Sequence, residues 1–128
     1  MNPELENLLR LKNEDFIKAA FKRLQKLSLT DEQLLVLTDV DHANKTFKDR
    51  NRYTYPIIRE VPKYGEVIRE MTHVKGSKRY YTDKVHYSGK AYVLCNDWYY
   101  PSPKKQNTKD TRTKFLQWIE HLETSQSE

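Results

Sequence analysis

A chain of 128 residues with one cysteine, Cys95, can form no intramolecular disulfide, and at this length it buries roughly two-thirds of its unfolded surface without needing one. No apolar run approaches the ~20 residues that cross a bilayer and no basic-then-apolar leader opens the chain, so a cytoplasmic protein without membrane association is expected. The net charge of +5 is unevenly spread: residues 1–40 hold 6 Lys and Arg against 7 Asp and Glu, residues 41–90 hold 12 against 6, and residues 91–128 hold 5 against 5. A localised basic excess attracts polyanions; its ordinary alternative is a solvated, charge-rich surface.

Residues 2–27 read as two helices. Asn2 can cap the first, with Pro3 at its opening position and Glu4 and Glu6 in its first turn, where negative charge meets the positive end of the helix. Asn13 can cap the second, in which Phe16, Ile17, Ala20, Phe21 and Leu24 recur at core spacing, while Lys18, Lys22, Arg23 and Lys26 read as a solvated face. Thr30 followed by Gln33 is a capping-box pattern that starts a third helix at Asp31, carrying Leu34, Leu35 and Leu37. Asp39 can cap a further short helix through Val40, Ala43 and Phe47, after which Lys45, Lys48, Arg50 and Arg52 form a basic spray and residues 49–55 a connecting loop. Tyr55 to Ile58 admits a helical turn or an edge strand, because each residue before a proline is pushed away from helical geometry; the turn is favoured here.

Tyr64, Val67, Ile68 and Met71 fall at helical spacing behind Pro62, and Gly76 follows as a stop, so a helix is expected over 63–74. Gly65 weakens it by about 1 kcal/mol relative to alanine. Residues 79–95 then read as an antiparallel hairpin turning at Ser88-Gly89, since a two-residue loop with glycine supplies the positive φ of a primed turn. The competing arrangement pairs 66–74 as a strand with 79–87 through a turn at Lys75-Gly76. Beyond Trp98, Tyr99 and Tyr100, the run from Pro101 to Asn107 is polar and turn-rich, and a final helix starting at Asp110 or Thr111 presents Phe115, Leu116, Trp118, Ile119 and Leu122.

The expected fold class is α+β, as one domain over 1–128: a helical body over 1–60, a helix plus hairpin over 61–97, an exposed mobile loop over 98–109, a closing helix over 110–123 and a frayed tail over 124–128. A helix followed at once by a basic, tyrosine-rich hairpin is the order of parts in a winged helix, an analogy of architecture only.

The residues that carry enzyme chemistry do not fall into pattern. His42, His73, His86 and His121 stand at no ligand spacing to one another or to Cys95, so no metal or other cofactor is expected. No Asp or Glu has Lys two positions later, as a strand-borne nuclease site would need, and neither a G-x-S-x-G elbow nor a phosphate-cradling glycine loop occurs. An enzyme is not expected. What remains is a set of tyrosines, Tyr80, Tyr81, Tyr87, Tyr92, Tyr99 and Tyr100 with Trp98, interleaved with Lys and Arg; about half should be core and half exposed. This points to nucleic-acid binding, with duplex DNA the expected form, in a regulatory or mobile-element role. The helix that begins at Lys63, itself a nucleic-acid-binding candidate, would enter the major groove with Arg69 and His73, Arg69 as base reader, and Lys78, Arg79, Lys84 and Lys90 on the hairpin would hold phosphates. The alternative is a protein-interaction module that uses the Tyr and Trp face.

Overall fold

The computed structural model describes residues 1–48, 53–102, 104 and 109–127. In chain order the elements are helices α1 (Pro3–Glu6), α2 (Asn13–Leu24), α3 (Asp31–Thr38) and α4 (Val40–Thr46), strand β1 (Ile58–Val61), the single turn α5 (Arg69–Thr72), strands β2 (His73–Val74), β3 (Ser77–Lys78), β4 (Val85–Tyr87) and β5 (Lys90–Leu94), and helix α6 (Arg112–Gln126). The class is α+β. Two compact units share the chain: Met1–Leu27 together with Asp97–Glu128, and Ser28–Asn96.

The first unit is helical. Asn2 Oδ1 accepts from the Glu4 N–H at 2.8 Å, which caps α1 as its sequence implies. Phe16, Ile17, Ala20, Phe21 and Leu24 of α2 are buried, as are Phe115, Leu116, Ile119 and Leu122 of α6. Between them Trp98 lies 5.1 Å from Phe16 and 4.7 Å from Phe115, centroid to centroid, an aromatic cluster that carries much of the apolar burial here. Two expectations change. Asn13 is the first residue inside α2, not its cap, and its Oδ1 accepts instead from Arg112 Nη2 at 2.6 Å. Arg23, read as part of a solvated face, forks onto both carboxylate oxygens of Glu123 at 2.9 Å and reaches Glu4 at 3.0 Å; the Glu123 bond raises its pKa against the opposing effect of burial. Thr124 to Gln126 continue α6 instead of fraying.

Of the loop expected over 98–109, Trp98 is buried, Tyr99 and Tyr100 are half-buried, and Pro103 and residues 105–108 lie outside the described residues. The same holds for Arg50 and Arg52 of the basic spray and for most of the 49–55 loop. On its described side Asn44 binds both backbone groups of Tyr53 at 3.0 Å, so one side chain stands in for a strand partner.

The second unit packs short helices on a small sheet. The capping box at α3 is complete, with Thr30 Oγ1 on the Gln33 N–H and Gln33 Oε1 on the Thr30 N–H. Asp39 caps α4 through the His42 N–H. The sheet runs β1-β5-β4, all antiparallel, with Ile58 opposite Leu94, Val61 opposite Ala91 and Val85 opposite Tyr92. Central strand β5 is buried at every residue from Ala91 to Leu94, so both of its faces are covered, and Cys95 follows it into the core.

Three expectations here are corrected. Residues 58–61 form an edge strand and not a helical turn, because Pro56 and Pro62 bracket them and hold the flanking backbone extended. The helix expected over 63–74 shrinks to α5. Gly65 sits at φ +92° and Ile68 at φ −95°, ψ 166°, both outside helical space, and His73 already belongs to β2. The hairpin does turn at Ser88 (φ +51°) and Gly89 (φ +81°), but it pairs only from Val85 onward; Tyr80 makes one isolated bridge to Cys95. The competing turn at Lys75-Gly76 also forms, closing a two-stranded ribbon that is limited to His73–Val74 and Ser77–Lys78.

Candidate nucleic-acid interface

With the helix gone, Arg69 and His73 have no long helix to carry them into a groove. Arg69 opens α5 and is exposed. His73 leads β2, its Nδ1 2.9 Å from Thr72 Oγ1 and 3.0 Å from the Arg69 carbonyl oxygen, so the ring is held by the turn that carries it. Across the ribbon His73 pairs with Lys78, which is exposed, and Arg79 follows with its guanidinium 5.6 Å from the Tyr55 ring centre. Arg59 fastens α5 and the start of the ribbon to the sheet: its Nη1 donates to the carbonyls of Glu70 and Met71, at 3.3 and 3.2 Å, and to that of His73 at 3.5 Å, while the guanidinium lies over Tyr80. Tyr80 is fully buried and donates to the Pro56 carbonyl at 2.6 Å; burial drives its phenol pKa upward.

Lys63 and Lys84 meet at the segment that links β1 to α5. Lys84 Nζ donates to the Gly65 carbonyl at 2.6 Å and to the Lys63 carbonyl at 3.4 Å, so this lysine supports the loop. Lys90, at the β4–β5 turn, stands 3.7 Å from Glu60, with both side chains 57% exposed, a pair worth about 0–1 kcal/mol. Lys63, Lys90 and Glu60 line one shallow depression of about 400 Å³. Among the described residues, Lys90 is the one candidate Lys or Arg within ion-pair distance of a carboxylate; Lys63, Arg69, Lys78, Arg79 and Lys84 are not.

The tyrosine set divides unevenly. Tyr80, Tyr92 and Trp98 are buried at 0%, 2% and 3% exposure, and Tyr81, Tyr87, Tyr99 and Tyr100 are half-buried, with the Tyr87 hydroxyl accepting from the Leu29 N–H at 2.7 Å. Three of these seven rings are therefore core and four are partly accessible. The exposed aromatic is one that sequence reasoning placed on a buried helical stripe. Tyr64 is 83% exposed, with Ile68 at 52% and the Lys63 ammonium 5.9 Å from the Tyr64 ring centre.

Comparison of the chain with protein-family models, curated proteins and solved structures finds no match.

The signal for Tyr64 was present in the flanking residues: Pro62 and Gly65, three apart, are turn chemistry, and they outweigh a four-residue coincidence of helical spacing. Exposed Glu66 and Glu70 lie in the same stretch, so its charge is mixed, whereas the ribbon from Lys75 to Arg79 is free of acids. Among the described residues no group of three or more His, Cys, Asp or Glu could hold a metal ion, and no helix is long and apolar enough to cross a membrane.

Proposed function

We propose that the Ser28–Asn96 unit binds nucleic acid, through the Pro62–Arg69 loop and the adjoining β2–β3 ribbon. The observation that carries this reading is Tyr64, a largely exposed ring beside Lys63 in a region whose cations, Lys90 apart, meet no carboxylate among the described residues. An exposed ring is a stacking platform for an unpaired base, and Lys63, Arg69, Lys75, Lys78 and Arg79 are left to meet phosphates. Since no long helix projects from this surface, unpaired or single-stranded segments suit it better than the major groove of a duplex.

The test is titration of labelled single strands and duplexes over a range of salt. With about three to five phosphate contacts the log–log salt slope for a single strand should be roughly −2 to −3.5, at ~0.7 per phosphate. Tyr64→Ala should weaken single-strand binding by about 1–3 kcal/mol and leave the slope unchanged, whereas Lys78→Ala should flatten it. The reading fails if neither form binds at low salt and tens of micromolar protein.

A second reading rests on Ile68. An exposed isoleucine close in sequence to an exposed tyrosine, among charges of both signs, suits a protein partner, for which Tyr and Arg are the usual anchors. Such binding would lose affinity with Ile68→Ala and respond weakly to salt.

A further inference from the structure

The unit formed by the two ends of the chain holds a cleft of about 950 Å³, whose lining includes Leu9, Arg10, Leu11, Trp98, Lys104 and Arg112. Its volume lies at the upper end of the range for small-molecule sites. Two properties make it more than a surface furrow. Its aromatic wall is anchored, because Trp98 is packed between Phe16 and Phe115, and Tyr99 is fixed where its N–H donates to Thr111 Oγ1 at 3.0 Å. Its charge has one sign: Arg10, Lys104 and Arg112 line it, with no Asp or Glu among the described lining residues. Arg112 is 6% exposed, and its guanidinium is locked by the Leu9 carbonyl at 2.8 Å, the Leu11 carbonyl and Asn13 Oδ1, all neutral oxygens. Arg10 and Lys104 make no ion pair among the described residues.

Concave, partly apolar walls that carry cations of one sign concentrate anions. An apolar ring can lie against Leu9, Leu11 and the aromatic wall while an oxyanion meets Arg10 and Lys104. We propose that this cleft binds a small organic anion that joins a flat ring to a phosphate or carboxylate group, of the size of a nucleoside monophosphate. The proposal is independent of the function assigned to the other unit.

The chain has two tryptophans, so in Trp118→Phe the fluorescence excited selectively in tryptophan reports Trp98 alone. Adenosine monophosphate should quench it saturably, and adenosine, which has the ring without the charge, should bind roughly tenfold or more weakly, as expected for loss of a charge-assisted contact. Benzoate as a second probe separates the two anion sources: tighter binding of the monophosphate assigns phosphate, and tighter binding of benzoate assigns carboxylate. Arg10→Gln combined with Lys104→Gln should weaken the preferred probe about tenfold with no change in unfolding midpoint, because both side chains are exposed. Tyr64→Ala should leave the quenching unchanged. An adenosine affinity equal to that of the tighter anion, or no saturable response to either anion at millimolar concentration, overturns the proposal.

Discussion

Lys84 Nζ donates to the carbonyl oxygen of Gly65 at 2.6 Å, joining two residues 19 positions apart and fixing the loop that presents Tyr64. A lysine read from sequence as a phosphate contact thus also shapes this loop. Lys84→Met keeps the stem and removes both carbonyl bonds, and at this partly exposed site it should cost about 1 kcal/mol in a denaturant melt. Amide exchange from Lys63 to Glu66 should accelerate. Unchanged exchange there would show that the loop holds its shape without the lysine.

Arg112 should be a costly polar substitution in the helical unit. Replacing it with Met leaves the Leu9 and Leu11 carbonyls and the Asn13 amide oxygen without their donor, a loss of about 2–4 kcal/mol by urea unfolding. Arg112→Lys should recover only part of this, since one ammonium cannot reproduce a planar fork that serves three acceptors. A loss under about 1 kcal/mol for the Met variant would place these oxygens in contact with water.

The turn at Ser88-Gly89 has positive φ at both positions, the signature of a type I′ turn. Ser88→Asn should stabilise the fold by a few tenths to about 1 kcal/mol, because Asn tolerates left-handed backbone better than Ser. Gly89→Ala should destabilise it by about 1–2 kcal/mol through backbone strain alone, as no atom lies within 4 Å of the added methyl. Thermal melts of the two variants should therefore shift in opposite directions.

Asp39 supplies a pH dependence whose sign is fixed. Its carboxylate lies 2.7 Å from His42 Nδ1 and caps α4 through the His42 N–H; the side-chain bond is the larger cause of its lowered pKa, with the backbone bond second. The folded state favours the ionised form, so this contribution is complete above the ordinary aspartate value of 3.8 and is lost as pH falls through the lower folded value. Asp39→Asn keeps a capping oxygen and should remove that part of the acid sensitivity while the helix survives near neutrality. A carboxyl titration midpoint for Asp39 at or above 3.8 would contradict the geometry.

Local rules in the sequence determined the features that local chemistry controls. Asn2, the Thr30 and Gln33 pair and Asp39 each start a helix where their side chains reach the nearest unpaired N–H groups, and Ser88-Gly89 turns a hairpin because few other residues accept that backbone. The buried faces of α2 and α6 followed in the same way from twelve or more residues of consistent period. Tertiary structure decided the rest, wherever a short pattern was open to more than one partner. Tyr64, Val67, Ile68 and Met71 had helical spacing but only one turn of helix, because Gly65 left helical space and His73 found a strand partner in Lys78. Residues 58–61 became a strand because β5 offered them an edge, and Arg112, the first residue of α6, became a buried hub because the chain's far end brought it Leu9, Leu11 and Asn13. Backbone carbonyls carry no signature in a sequence, and for that reason the roles of Lys84 and Arg112, which both bind them, emerge only once the chain is folded.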